Sequence, residues 1–455
     1  MTALDGLSRQ LRDLPRSERP YDLIEAMAAF HTPGVGIALI ENGAISQTRY
    51  EGVRELGHSA PVTETTQFQS GSISKSVAAA CVLRLVALGM LDLDESVNDR
   101  LRSWHVPPNS TWQPRVTLRQ LLSHTAGLTV HGFLGYPAGM IVPNPPEVLD
   151  GKGNSPAVRV TTLPGLQFSY SGGGYIVAQQ LLCDVTGRDF PSLAAELVLE
   201  PAGMSRSTFV QPQPESIEGA FASGHLWGPV PVTGRWHTYP EMAAAGLWST
   251  PEDLARFFLA LRGSWVGEPG ALLPRELAID MFRPHASNRP YGLGVQLAES
   301  GAPASIGHGG ADEGFNNTAT LYLESGQGAV IMTNSDGGAG LIHSFLLPAL
   351  ADACEWPRSR PGDETEATRP SLDLAGRYAT RGDFAVEFRI ETRGNELELT
   401  IDGQPPVRLL PKPNGIWQSD HLHLDVTFKV DDDDGPMMRL HQDAMYTVDI
   451  EAWRV

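Results

Sequence analysis

A serine and a lysine three residues apart stand at the start of an apolar stretch in this 455-residue chain. They lie in the run Ser70-Gly-Ser-Ile-Ser-Lys-Ser76, and the Ala- and Val-rich stretch that follows ends before Gly89. On a helix this spacing places both side chains on one face. A lysine whose pKa is lowered by burial and by the positive end of a helix can take the proton of a serine hydroxyl. The pattern therefore predicts Ser72 as a nucleophile activated by Lys75; the alternative is a serine-rich helix cap beside a solvent lysine.

Two further polar groups stand on glycine-rich turns later in the chain. Tyr170 lies in Phe168-Ser-Tyr-Ser-Gly-Gly-Gly-Tyr175, ahead of a second apolar helix, and His308 lies in Gly307-His-Gly-Gly310 at the end of a strand. A phenol and an imidazole can both carry protons during acyl transfer. Each alone is equally consistent with packing in a turn. Together with the serine and the lysine, they predict one catalytic cluster.

In this order the three segments resemble the motifs of the penicillin-binding-protein and β-lactamase superfamily of serine hydrolases, especially its class C-like and esterase branch. That superfamily is marked by S-x-x-K, then Y-x-N, then K-T-G or H-x-G. S-x-x-K alone is weak, but three motifs in order are specific, and the resemblance covers roughly residues 20–350. The similar flanking segments are Leu121-Leu-Ser-His-Thr-Ala-Gly-Leu128, Pro164-Gly-Leu-Gln-Phe-Ser-Tyr-Ser171 and Gly307-His-Gly-Gly-Ala-Asp-Glu-Gly-Phe315. The resemblance implies an α+β fold: an antiparallel sheet flanked by helices, plus a helical subdomain.

The resemblance also implies a role for each group. Ser72 attacks an acyl carbonyl, while a partly neutral Lys75 and the phenolate of Tyr170, stabilised by that lysine, share the proton transfers. The backbone N–H groups of Ser72 and Ala311 are implied as the oxyanion hole. The other implied substrate-binding positions are Gly172, Gly309 and Gly310.

Two departures from the motifs bear on the substrate. Gly172 stands where the motif has asparagine, so that side-chain amide contact to the substrate is missing. His308 replaces the lysine of K-T-G, which removes a cation near a substrate carboxylate, and we expect it to orient the tyrosine or protonate the leaving group. Both changes occur in superfamily members that are not efficient β-lactamases, so β-lactam hydrolysis is not expected. His124, in a helix-to-loop turn, is favoured as a structural hydrogen-bonding residue over a catalytic base.

The helices and strands that must position these groups are predicted from hydrophobic periodicity and turn residues. We expect a hydrolase domain over residues 1–350, with a long loop over 129–165 beside the site. Turn signals such as Asn42-Gly43 separate predicted hairpin strands. The predicted helices are 5–31, the stretch after Ser72, a segment from 91 to 97, 116–128, 176–185, 251–261 and 341–351; the predicted strands are 35–40, 44–53, 292–297, 305–308, 317–323 and 328–334.

The last quarter of the chain has a different pattern. Residues 351–370 are predicted as a linker, and residues 371–455 as about eight short strands in a small barrel or sandwich. This tail resembles the lipocalin-like barrel appended to some superfamily members. Arg454, on its last strand, is a candidate ligand of a substrate carboxylate if the barrel leans over the cleft; a solvent-facing arginine is the favoured alternative. Asp431–Asp434 are favoured as a hairpin tip over a calcium loop.

Composition excludes several classes of protein. The net charge of −19 argues against nucleic acid and against an anionic membrane surface. Three cysteines, Cys81, Cys183 and Cys354, lack metal-ligand spacing, and no metal or organic cofactor is suggested. The N-terminal stretch has no apolar signal core, so a cytoplasmic location is expected.

An acyl-enzyme can be resolved by water or by an amine, and the motifs do not decide between them. One superfamily branch joins this hydrolase domain to a lipocalin-like domain and acts as a free-standing thioesterase or cyclase on non-ribosomal peptides. The resemblance to that branch makes macrocyclisation of a peptidyl thioester the preferred prediction, with a carrier protein as the candidate partner that delivers the thioester. A cytosolic D-specific peptidase, amidase or esterase is the alternative, and a catalytically inactive binding protein is a third class.

Overall fold

The computed structural model describes residues 3–9, 20–109, 112–161, 164–165, 168–213, 220–227, 230–286, 289–299, 302–357, 374–379, 387–401, 407–412, 415–419, 424–431, 435–443 and 447–454. The chain divides into two compact units, Met1–Pro357 and Arg358–Val455. Among the described residues, no helix combines the length and the apolar character needed to cross a bilayer.

A six-stranded antiparallel sheet lies at the centre of the first unit. In spatial order its strands are Ala44–Gly52, Gly34–Glu41, Gly328–Thr333, Phe315–Tyr322, Ser305–Asp312 and Gln296–Leu297. Alternate residues of the second strand face two different cores: Val35, Ile37 and Leu39 pack on one side, Ala38 and Ile40 on the other. Because both faces are buried, this strand is apolar along almost its whole length.

Helices cover both faces of this sheet. The helix that follows Ser72, Ser74–Ala87, is buried along nearly all of its length, and the chain leaves it through Gly89 at φ +70°. A second buried helix, Gly172–Thr186, begins at the cap Ser171. The other α-helices are Leu23–Ala29, Leu118–Leu122, Pro145–Leu149, Phe190–Ala194, Met242–Ala245, Pro251–Val266, Arg275–Met281, Gly338–Gly340 and Leu347–Ala353; 3-10 turns occur at Gly71–Ile73 and Val97–Asp99, and π-helical turns at Ala195–Leu199 and Leu341–Leu346.

Two of the predicted helices are wrong, and the helix predicted over 116–128 is confined to Leu118–Leu122. Instead of one helix over 5–31, Ser8–Arg9 pairs with Tyr21–Asp22 as a short ladder, and the helix is confined to Leu23–Ala29. Asp22 and Glu25 form a capping box that fixes its start, a signal available in the sequence. The segment from 91 to 97 is irregular and leads only into a 3-10 turn, because its leucines (Leu91 and Leu93) are buried one by one without helical hydrogen bonds.

The second unit is a closed antiparallel barrel of eight strands. They are Gly376–Ala379, Glu387–Arg393, Glu396–Ile401, Val407–Pro411, Ile416–Ser419, Leu424–Asp431, Gly435–Asp443 and Thr447–Arg454. Phe388, Ile390, Leu397 and Leu399 point into its core and alternate with polar residues. These observations confirm the predicted α+β domain followed by an all-β barrel. The helix Leu347–Ala353 runs three residues beyond the predicted domain end at 350. Residues 358–370 of the predicted linker and most of the Asp431–Asp434 tip lie outside the described residues.

Candidate active site

The serine lies in a tight turn pressed against the strand that carries the histidine. Gly71, at φ +55°, opens the 3-10 turn Gly71–Ile73, and a Cβ on it would come within 2.4 Å of the Ala311 backbone nitrogen. Gly310 on the strand packs equally closely against the turn, because a Cβ there would lie 2.0 Å from the Ser70 carbonyl oxygen. Only glycines allow the turn and the strand to approach so closely. The predicted oxyanion residues, Ser72 and Ala311, are thereby brought together.

Lys75 makes two hydrogen bonds with its ammonium group. Nζ lies 2.9 Å from Ser72 Oγ and 2.8 Å from the Ala244 carbonyl oxygen. The side chain is 2% exposed. Burial lowers the pKa of Lys75 to about 7, although the nearby carboxyl of Asp312 opposes this shift. A large fraction of the amine is therefore neutral at neutral pH and able to accept the serine proton.

Tyr170 stands beside this pair, with Lys75 Nζ 4.9 Å from the centroid of its ring. Burial raises the pKa of Tyr170, and the nearby Ser72 hydroxyl acts in the opposite direction. The expected phenolate is therefore not the resting form. Of the two groups, Lys75 has the lowered pKa that leaves a neutral fraction near neutral pH, and Tyr170 stays a protonated phenol.

His124 packs against the Tyr170 ring and hydrogen-bonds the turn that carries it. Its Nδ1 accepts a hydrogen bond from the Ser171 backbone N–H at 3.0 Å, and its ring lies 4.1 Å from that of Tyr170, tilted by 34°. Burial, followed by the charge of Lys75, lowers the pKa of His124, so the ring is neutral. The geometry fits the favoured structural role and holds the Tyr170 turn in place.

His308 is engaged by a tyrosine that sequence reasoning missed. Its Nδ1 lies 2.5 Å from the Gly309 carbonyl oxygen, which can only accept, so Nδ1 carries the proton. Nε2, 2.8 Å from the Tyr291 hydroxyl, must then accept from that hydroxyl. Burial and Lys75 lower the pKa of His308 to about 3. Its ring centroid is 6.5 Å from that of Tyr170, so among described residues the histidine contacts Tyr291 rather than orienting the Tyr170 hydroxyl.

Two buried acids adjoin the cluster. Asp312 lies next to Ala311, and burial raises its pKa well above the usual range, while the charge of Lys75 and the nearby Gly71 backbone N–H act in the opposite direction. Glu241 is wholly buried, and burial raises its pKa to about 8.

The remaining predicted residues fall in two places. Gly172 is the first residue of the second buried helix, and Gly309 lies beside His308 on the central sheet. Arg454 belongs to the barrel unit, where its side chain is exposed and its Nη2 donates to the Ala375 carbonyl oxygen at 2.8 Å. Its role toward a substrate carboxylate stays a prediction.

The sequence held only a partial signal for the missed residues. Tyr291 precedes Gly292 and Gly294, and a Cβ on Gly294 would lie 2.4 Å from Ala79 Cβ, so this turn packs directly on the helix that carries Lys75. The partial signal for Tyr291 is therefore its position directly before a G-x-G turn in the sequence. Ala244 contributes only a backbone carbonyl, which no residue type reveals.

A buried Lys75 between half-buried Ser72 and Tyr170, beside the central antiparallel sheet, is the arrangement expected of a serine acyl-transfer enzyme. The family model described as Beta-lactamase matches residues 22–345. The chain therefore belongs to the beta-lactamase family, and it is a serine hydrolase of the β-lactamase and penicillin-binding-protein superfamily.

Curated relatives and solved structures agree with this assignment. D-aminopeptidases of Brucella anthropi are 24% and 26% identical over 330 residues, which is 70% of this chain and 59% of theirs. The octameric penicillin-binding protein homologue from Pyrococcus abyssi aligns with TM-score 0.62 and 21% identity, covering 94% of this chain and 98% of its own. SurE with D-Leu aligns with TM-score 0.59 and 22% identity over 95% and 97% of the two chains. The D-amino acid amidase from Ochrobactrum anthropi SV3, complexed with D-phenylalanine, aligns with TM-score 0.58 and 22% identity over 74% and 99%.

Proposed function

We propose that the protein transfers acyl groups of D-configured amino-acid or peptide substrates through an acyl-Ser72 intermediate, and that water is the usual acceptor. The observation that carries the proposal is the buried amine of Lys75, 2.9 Å from Ser72 Oγ, with a pKa lowered to about 7. Such an amine is a base matched to neutral pH. The protein is then a D-specific peptidase, amidase or esterase.

The reaction follows from the positions of these groups. Ser72 Oγ attacks the carbonyl carbon and gives its proton to Lys75, while the N–H groups of Ser72 and Ala311 receive the oxyanion. The C–N, C–O or C–S bond then breaks, and the leaving group takes a proton from Tyr170, which Lys75 restores. In the second half, water or an amine gives its proton to the same base and attacks the acyl-Ser72 carbonyl. Ser72 recovers its proton as the product leaves.

The preference for D-configured substrates rests on the relatives. Matched proteins carry the names D-aminopeptidase and D-amino acid amidase. This chain spans 59% of the length of the D-aminopeptidases it matches, so their substrate is a proposal for it. The neutral His308 bears on another feature of the substrate, because a site without a fixed cation there does not require a substrate carboxylate.

The peptide cyclase preferred from the sequence is the second candidate. It is favoured by the closed barrel after the hydrolase unit, the arrangement of the thioesterase and cyclase branch that this chain resembles. In that case the N-terminal amine of the peptide replaces water and releases a macrolactam. The linear chain is supplied as a thioester, and a carrier protein is the candidate partner that delivers it.

One pair of epimeric substrates separates the hydrolase from the cyclase. A linear peptide thioester ending in a D-residue, and its L-epimer, are incubated with the wild-type protein and with Ser72→Ala. Free acid from the D-peptide supports hydrolysis, and cyclic product supports the cyclase. Equal turnover of both epimers contradicts the D-preference. Turnover that survives in Ser72→Ala, or no turnover of either epimer, contradicts the acyl-Ser72 proposal.

A further inference from the structure

One of the two acceptors that orient Lys75 belongs to a very short helix. The Ala244 carbonyl oxygen, 2.8 Å from Lys75 Nζ, lies in the four-residue helix Met242–Ala245. The Ala244 and Ala245 N–H groups both donate to the Glu241 carbonyl oxygen, at 3.0 and 2.9 Å. Because a helix of one turn is not stable by itself, the position of the Ala244 carbonyl depends on contacts from outside this helix.

The short helix is not capped by the residue at its own start. Glu241 occupies the N-cap position, yet its side chain makes no capping hydrogen bond. Neither of its buried carboxyl oxygens has a hydrogen-bond partner among the described residues. The first N–H groups of a helix need acceptors, which an N-cap side chain usually supplies to the second or third residue. The acceptor for the Ala243 N–H therefore has to come from another part of the chain.

Gln179 supplies that acceptor from the second buried helix, Gly172–Thr186. Its Oε1 accepts from the Ala243 N–H at 2.9 Å, and its Nε2 donates to the Pro240 carbonyl oxygen at 3.1 Å. The side chain is buried, and both ends of its amide are used within residues 240–243. These two hydrogen bonds hold the start of the short helix against the longer one.

Ser74 holds the chain just after the short helix. Its Oγ accepts from the Leu247 N–H at 3.0 Å and donates to the Gly71 carbonyl oxygen at 2.6 Å. This end of the segment is thereby joined to the turn that carries the nucleophile. The Ala244 carbonyl lies between the two attachments, and Gln179 is the attachment that can be replaced without changing the run 70–76.

We propose that Gln179 is a positioning residue for the catalytic base: it fixes the short helix so that the Ala244 carbonyl holds the Lys75 amine toward Ser72. The inference rests on the proposed acyl-transfer function, in which Lys75 takes the serine proton. A carbonyl acceptor stabilises an ammonium group more than it stabilises a neutral amine. Displacement of this carbonyl therefore lowers the pKa of Lys75 further and leaves the amine less well directed.

Replacing Gln179 changes no charge in the site, because its amide is uncharged. The ionisable groups around Lys75 come from the central sheet, the loops and the second buried helix, and they are Asp312, His308, His124, His131, Tyr170 and Tyr175. Asp312 also faces Tyr239 and Glu241, and Glu241 raises its pKa. Movement of Glu241 away from Asp312 would make Asp312 more acidic and raise the pKa of Lys75, which is the opposite of the shift expected here.

The pH dependence of covalent labelling tests the proposal and needs no knowledge of the substrate. The rate constant for labelling of Ser72 by a fluorophosphonate should rise with pH through an apparent pKa of about 7 in the wild-type protein. Gln179→Met keeps a side chain of similar length without the amide. In this variant we expect the apparent pKa to fall by about one pH unit and the rate at pH 9 to fall about tenfold.

Gln180→Met is the matched control. Gln180 is buried on the same helix, but its Nε2 donates to Asp184 Oδ1 at 2.9 Å. The control therefore loses a buried amide without touching the attachment of the short helix. Its apparent pKa and its labelling rate at pH 9 should stay at the wild-type values.

An apparent pKa that stays at the wild-type value in Gln179→Met, or one that falls equally in Gln180→Met, overturns the role of Gln179. Absence of wild-type labelling on Ser72 contradicts the proposed function instead. Since an apparent pKa does not depend on the amount of folded protein, it can be read in a destabilised variant. If Gln179→Met does not fold, Gln179→Asn, whose amide is one methylene shorter, takes its place, and an unshifted pKa there overturns the proposal.

Discussion

Lys75 shows how burial turns an ordinary residue into a base. An ammonium in water holds its proton far above neutral pH, whereas here the loss of solvent lowers the pKa to about 7. Two acceptors, Ser72 Oγ and the Ala244 carbonyl, fix the direction of the amine. In the proposed mechanism, the neutral fraction that results takes the proton of the neighbouring Ser72 hydroxyl.

The pH dependence of activity follows from this shift. Lys75 must be neutral to accept a proton, so kcat/KM should rise with pH through an apparent pKa of about 7 and fall about tenfold per pH unit below it. The pKa values of the three nearby histidines, His124, His131 and His308, are lowered, so they do not account for a limb at this pH. A profile of kcat/KM from pH 5 to 9 measures this apparent pKa. An acidic limb at pH 5 or below would contradict the assignment.

Tyr291 offers a second test at this scale. In Tyr291→Phe, His308 Nε2 loses its donor inside a buried site, so we expect about 1 kcal/mol of lost stability and a fall in kcat of about tenfold. Thermal unfolding and steady-state kinetics measure the two effects. Tyr322→Phe is the matched control, because its half-buried ring packs on Trp356. Wild-type kcat in Tyr291→Phe would mean that this hydrogen bond has no part in catalysis.

At the scale of elements, the site depends on the close approach of a turn and a strand. Gly71→Ala would combine a positive φ with a Cβ 2.4 Å from the Ala311 nitrogen. Gly89 has a similar φ of +70°, yet a Cβ there would meet nothing within 4 Å. Comparing alanine substitutions at the two glycines therefore separates the cost of a positive φ from the cost of a steric clash with Ala311.

We expect Gly89→Ala to cost roughly 1–2 kcal/mol of stability from its positive φ alone and to stay active. Gly71→Ala should lose a further 1–3 kcal/mol or more by overpacking, and its acylation rate should fall at least a hundredfold. Denaturant unfolding and burst kinetics give both numbers. Equal effects in the two variants would show that the approach to Ala311 is not needed.

Elements with strong local signals were predictable from the sequence. Periodicity or turn residues in the sequence match the fold in three places. These are the buried helices after Ser72 and Ser171, the hairpin at Asn42-Gly43 and the eight barrel strands. The N-terminal helix over 5–31 failed because Tyr21–Asp22 pairs with Ser8–Arg9, a tertiary contact that periodicity does not encode. For the same reason the contact of Tyr291 with His308 and the stacking of His131 on Tyr170 required the structure.

On the scale of the whole molecule, the chain consists of two units with separate hydrophobic cores. The barrel core is small and built from inward-pointing residues such as Leu399, which is fully buried. Small closed cores depend strongly on each member. The stability of the barrel should therefore respond sharply to loss of a single side chain.

Leu399→Ala should destabilise the barrel by about 2–5 kcal/mol because it opens a cavity in that core. Calorimetry is the measurement, with Leu88→Ala as the control, since Leu88 is 60% exposed and should change stability by less than about 0.5 kcal/mol. A Leu399→Ala profile identical to that of the wild type would contradict the assignment of Leu399 to the barrel core.

The most direct test of the account is the site and rate of covalent labelling. The wild-type protein is treated with a fluorophosphonate, and intact mass and peptide mapping identify the labelled residue. We predict one adduct on Ser72, none in Ser72→Ala, and labelling at least a hundredfold slower in Lys75→Met, where the base is replaced by an apolar chain of similar length. Labelling of another residue, or an undiminished rate in Lys75→Met, would contradict the claim that Lys75 activates Ser72.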